Sequence, residues 1–155
     1  MNCQHMNGVA NMDRARIGKQ PPRYSFVLNP YRDIRLSKCP TCEKPTHPRK
    51  FALFIHADGW GPLILGKTCR YCTHCELVIA HKDEMDAEIS RSLSRLAPEA
   101  VGRNYLVLGT ADRREWQRCL KGKEQTLNET MEHVAEFKRH MHLEVKPGGW
   151  YPASG

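Results

Sequence analysis

The sequence predicts an α+β protein in which a β-hairpin, tied at its base by cysteines, packs with a small helix-and-strand domain. Three observations lead there. Five of the seven cysteines fall in two clusters, Cys39-Pro-Thr-Cys42 and Cys69-Arg-Tyr-Cys72-Thr-His-Cys75. A stretch of strand character lies between them, long enough to go out and return. Beyond Lys82, apolar residues recur at helical spacing, separated by short apolar runs.

Taken in order, residues 1–22 show no period and end in Pro21-Pro22, which predicts a flexible arm. Cys3 and His5 are read as part of that arm rather than as ligands. Tyr24-Ser-Phe-Val-Leu28 has strand character, and Asn29-Pro30 marks a turn. Ile34 and Leu36 are expected in a short strand entering the first cysteine cluster.

The clusters themselves carry chemistry. Two cysteines separated by two residues can chelate one ion from a tight turn, and a second such turn completes a tetrahedron. Thiolates suit Zn2+, a borderline-soft ion that takes four donors in structural sites. Phe51–Ala57 is rich in aromatic and branched residues and reads as the outgoing strand. Asp58-Gly-Trp-Gly61 supplies the turn, and Pro62–Gly66 leads back. Cys72-Thr-His-Cys75-Glu76 repeats the pattern of Cys39-Pro-Thr-Cys42-Glu43, so Cys39, Cys42, Cys72 and Cys75 are the favoured Zn2+ ligands. Cys69 lies nearer the end of the returning strand and rivals Cys75. His47, His56 and His74 are alternative fourth donors. Buried free thiols would explain isolated cysteines better than clustered ones. A redox pair wants a helix directly after it; Pro45 and Pro48 forbid one after Cys42.

Over residues of about 36–80 the pattern resembles the zinc ribbon family. The resemblance implies a zinc-ribbon-like β-hairpin module with a structural metal between two knuckles. The second cluster departs from the family pattern in having three cysteines. Neither knuckle has the glycine often found after its second cysteine; Glu43 and Glu76 stand there instead. The expected organisation is an arm at 1–22, a ribbon-like module at 23–82 and an α+β region at 83–155, the last two forming one compact unit.

After Cys75, Leu77–Ala80 continues as an apolar strand. Met85, Ile89, Leu93 and Leu96 then give one apolar stripe on a helix that opens near Asp83 and stops at Pro98. Asp83, Glu84 and Asp86 suit its N-terminus, and Arg91 and Arg95 its C-terminal half. Asn104–Leu108 reads as a buried strand ended by Gly109, with Thr110 capping a helix from about Ala111 to Leu120. Trp116, Cys119 and Leu120 are expected to pack inward. Thr126-x-x-Glu129 fits a capping box for a longer helix reaching about His140. On that helix Glu129, His133, Glu136 and His140 would share one face, a second candidate site for a metal or for acid–base chemistry. Leu143–Val145 is a last strand before an aromatic tail.

Composition bounds the function. A length of 155 residues with 40% hydrophobic residues fits one domain of ordinary size. Clustered cysteines in odd number point to metal and to a reducing compartment, so a cytoplasmic protein is expected. No apolar run approaches a membrane span. Of the net charge of +7, residues 1–82 carry thirteen Lys/Arg against five Asp/Glu, and the remainder eleven against twelve. That imbalance admits nucleic acid as a partner, with Arg49, Lys50, Lys67, Arg70 and Lys82 on phosphates and Trp60 or Tyr71 stacking bases. A protein partner is the second class, and an enzyme using the Glu/His face the third. Zinc binding with a structural tetrathiolate is the leading reading.

Overall fold

The computed structural model describes residues 18–120, 127–146 and 149–152. Its elements are strands β1 (Ser25–Asn29), β2 (His47–Ala57), β3 (Gly61–Cys72) and β4 (Leu77–His81), helix α1 (Lys82–Leu96) and strand β5 (Tyr105–Ala111). Helices α2 (Arg113–Leu120) and α3 (Leu127–Met131) follow, then strands β6 (Val134–Glu136), β7 (Arg139–Met141), β8 (Leu143–Lys146) and β9 (Gly149–Pro152). The α+β expectation holds. A free-standing ribbon module is not distinct, because the hairpin strands β2 and β3 belong to a seven-stranded sheet of order β6-β5-β2-β3-β4-β1-β7. β8 and β9 pair with each other as a separate antiparallel ladder.

Two units divide the chain, and each holds part of β2 and β3. Among the described residues, the first contains those up to Arg23, Phe51–Lys67 and those within Ile89–Glu136; the second contains Tyr24–Lys50, Thr68–Glu88 and those from Phe137 onward.

In the first unit β5 pairs antiparallel with both β2 and β6. The core gathers Ala52, Phe54, Ile64, Ala111, Met131 and Val134, with Leu108 and Trp116 against it. Gly109 lies inside β5 rather than ending it. A Cβ there would collide with the carbonyl of Ala135, so the close approach of β6 requires glycine. Thr110 is likewise a strand residue. The cap of α2 is Asp112, whose Oδ1 accepts from the Glu115 backbone N–H at 2.8 Å. Residues 18–22, expected in a flexible arm, are partly pinned: Lys19 N–H donates to the Met131 carbonyl and Gln20 N–H to that of Val134. The rest of the arm, residues 1–17 with Cys3 and His5, lies outside the described residues, as do the Thr126 cap and the side chains of Cys119, Leu120 and the aromatic tail.

The expected long helix to His140 does not form. α3 ends at Met131, and Val134–Glu136 instead pairs with Gly109–Ala111 of β5. The helix-like spacing of Leu127, Met131 and Val134 loses to strand pairing, as local propensity often does to tertiary context.

In the second unit β1 runs parallel to both β4 and β7, while β4 pairs antiparallel with β3. Phe26 stacks on Phe137 with centroids 4.6 Å apart, and His140 meets both rings edge-on. The core collects Val27, Leu36, Cys39, Cys72, Leu77, Ile79, Met141 and Leu143. Two cysteines of the clusters therefore sit inside an apolar core. α1, which continues into the first unit, buries Met85, Ile89 and Leu93 as its period predicts, whereas Leu96 is exposed.

Candidate metal centre

β2 and β3 form the expected hairpin, with the turn at residues 58–60 closed by the Trp60 N–H donating to the Ala57 carbonyl. The strands extend beyond their apolar stretches, and β3 reaches Cys72. That length separates the rival cysteines. Side chains alternate along a strand, so residues three apart point to opposite faces. Regular pairing of Arg70, Tyr71 and Cys72 with Ile79, Val78 and Leu77 keeps the alternation intact. Cys72 belongs to the core cluster that holds Leu77 and Ile79, whereas Cys69 is buried outside that cluster.

The sulfurs of Cys39, Cys42, Cys72 and Cys75 all lie within 4.8 Å of one another, and among the described residues this is the group of metal-ligating type that forms. Cys69 is buried but is not a member. The Cys42 and Cys72 sulfurs are 3.6 Å apart. Zn–S bonds of about 2.3 Å in a tetrahedron put sulfurs about 3.8 Å apart, so the donor set fits Zn2+.

Each knuckle is held by its own backbone. In the first, the Glu43 N–H donates to the Cys39 carbonyl and the Cys39 N–H to the Lys44 carbonyl. The Thr41 N–H donates to Cys39 Sγ and the Cys75 N–H to Cys72 Sγ, both at 3.4 Å. Glu43 and Glu76 adopt φ of +64° and +52°. They are the residues directly after the second cysteine of each knuckle, where ribbons often place glycine. The echo between the two clusters is thus an echo of backbone conformation, kept here by glutamates.

Electrostatics divide the thiols. A backbone hydrogen bond from Lys44 lowers the pKa of Cys42. Burial raises that of Cys72. Burial first, then the neighbouring cysteines, pushes Cys75 up to about 12. Four thiolates cannot share so small a space unless a cation neutralises them. Cys39 and Cys72 are each 1% exposed and Cys42 and Cys75 half-buried, so the cation would be enclosed by sulfur and core.

Arg70 and Thr46 were not singled out together by the sequence, yet they brace the first knuckle. Arg70 Nε donates to Thr46 Oγ1 at 3.0 Å and Nη2 to the Thr46 carbonyl. Thr46 Oγ1 in turn donates to the Leu36 carbonyl at 2.7 Å. The signal was available: Arg70 and Cys72 are two apart on one strand and share a face.

The other candidates scatter. His47 is exposed and meets the Tyr71 ring edge-on, His56 is half-buried in β2, and His74 Nδ1 lies 3.5 Å from Lys44 Nζ; none joins the sulfurs. The Glu/His face dissolves with its helix. Glu129 is on α3, His133 follows it and bonds Asp112 Oδ2 at 2.7 Å, Glu136 ends β6, and His140 is in β7. Among the proposed phosphate contacts, Arg49 and Lys50 are exposed, Lys67 is half-buried, Arg70 holds Thr46 and Lys82 pairs with Asp86. Tyr71 is buried with Arg49 over its ring at 4.9 Å, and Trp60 is half-buried. No helix among the described residues is long and apolar enough to cross a membrane.

Comparison of the chain with protein-family profiles, with curated proteins and with solved structures finds no match, so the zinc ribbon resemblance stands on the chain's own cysteines and strands.

Proposed function

We propose that the protein binds one Zn2+ through Cys39, Cys42, Cys72 and Cys75, and that the ion is structural. The convergence of these four sulfurs within 4.8 Å, from two turns thirty residues apart, carries the reading. Four thiolates fill a tetrahedral shell and leave no position for water or substrate, which distinguishes a structural centre from a catalytic one. The ion's work is mechanical: it ties the loop before β2 to the turn after β3, a zinc-ribbon-like closure set into a larger sheet. It also neutralises the thiolates, of which burial would otherwise favour the protonated form at Cys72 and Cys75.

The test is metal content together with stability. Purified protein should contain about one equivalent of zinc. With ligand in thousandfold excess over its Kd, bound-state stabilisation is about 4 kcal/mol, so chelation should lower Tm by about 10 °C or more. Metal-free protein with an unchanged melting curve would overturn the reading.

A further inference from the structure

We infer that the second unit carries a binding site for a small oxyanion, phosphate or carboxylate in type, centred on Arg70. This goes beyond the metal centre and does not depend on its occupancy. A cavity of about 320 Å³ opens there, lined among others by Leu36, Ser37, Thr68, Arg70, Ile79 and His81. That volume is at the lower end of small-molecule sites. Strand alternation and the β3–β4 register put Arg70 and Ile79 on one sheet face, the face that carries Cys72.

Arg70 is the unusual member. It is half-buried, and among the described residues it has no carboxylate within ion-pair distance. A guanidinium presents five N–H bonds, and its two contacts with Thr46 leave others unused. Both contacts are to neutral oxygens, so the charge remains uncompensated. A partly desolvated cation in a concave site favours an anion, and arginine's planar fork matches the paired oxygens of phosphate or carboxylate. Ser37, exposed at the cavity, can add a hydroxyl donor, and Leu36 and Ile79 in the lining would strengthen the attraction by excluding water. The remaining charges at the cavity are set against each other. Arg35 pairs with Asp83 at 2.8 Å and approaches Glu84 at 3.8 Å, one cation against two carboxylates, so Arg70 is the cation left for a ligand and Glu84 the charge that opposes one. The limited volume selects a small ion or the head of a small metabolite.

The experiment is a titration of the zinc-loaded full chain with inorganic phosphate and, separately, with acetate, at ionic strength matched with chloride, followed by amide NMR shifts. Saturable shifts confined to residues around Ser37, Arg70 and His81 are expected, with a Kd of about 1 mM or tighter for at least one of the two anions. The saturating anion identifies which oxyanion the site prefers. Arg70→Gln, compared with the parent at equal measured zinc loading, should weaken binding about tenfold or more. Glu84→Gln, at an exposed position, should tighten it about two- to fourfold by removing a nearby negative charge. Shifts that stay linear with both anions would overturn the inference, as would equal affinity in Arg70→Gln. Should that variant fail to fold, equal or weaker binding in Glu84→Gln overturns it instead.

Discussion

Glu43 and Glu76 hold left-handed backbone at φ +64° and +52°, a conformation that costs an L-residue roughly 1–2 kcal/mol and glycine almost nothing. Glycine at either position should therefore leave Tm unchanged or raise it, although glycine elsewhere usually destabilises. A β-branched residue is the worst choice there, so Glu43→Val should lower Tm by roughly 3–6 °C. Thermal melts of the three single variants check this, and a loss of stability in Glu43→Gly as large as in Glu43→Val would show that the knuckle has no need of the left-handed turn. The two residues were legible as a repeated acid after each cysteine pair; their conformation was not, because no glycine announced it. At the same scale, Cys69 and Cys75 should behave oppositely. Cys69→Ser should keep one equivalent of zinc, at a stability cost of about 1–3 kcal/mol for a hydroxyl in a buried site. Cys75→Ser should lose the metal. Zinc analysis of both proteins decides, and retention by Cys75→Ser would return Cys69 to the ligand set.

Elements were readable where one local signal dominated. β1, β4 and β8 follow from short apolar runs, and α1 from its stripe of Met85, Ile89 and Leu93. They are illegible where pairing partners decide. Gly109 looked like a strand end because nothing local shows that β6 crosses so close to it. The α2 cap is written in the sequence as Asp112-x-x-Glu115, but Thr110 after Gly109 offers a competing local cap. The run after Leu127 has a helix-like spacing, and only the presence of β5 and β1 as partners turns it into β6 and β7. α1 offers an element-scale test of electrostatics. Asp83 sits in its first turn and is held below the usual carboxylate range, chiefly by its hydrogen bond from Arg35. A depressed folded pKa means that the contribution is present above the ordinary value of 3.8 and is lost as pH falls through the folded value. Asp83→Asn should accordingly flatten the decline of Tm on acidification below about pH 4. An acid limb identical to that of the parent would show that the pair does not bear on folding.

At the scale of the molecule, the sequence exposed the hairpin and the two cysteine turns but not the sheet that absorbs them. The order β6-β5-β2-β3-β4-β1-β7 contains two parallel pairings of β1, made by segments distant in the chain, and such pairings leave no mark on local spacing. The same holds for Arg70 and Thr46, which meet only because the loop from Leu36 to Thr46 folds back along β3. The four thiols, by contrast, were legible as a set, since spacing alone identifies a chelating turn. If these four sulfurs, and no imidazole, hold one zinc ion, the metal's immediate surroundings contain sulfur alone. X-ray absorption at the zinc edge of the purified full chain tests it most directly. About four sulfur scatterers at about 2.3 Å are expected, with no outer-shell pattern from a histidine ring. A shell containing nitrogen from imidazole, or fewer than four sulfurs completed by oxygen, would contradict it.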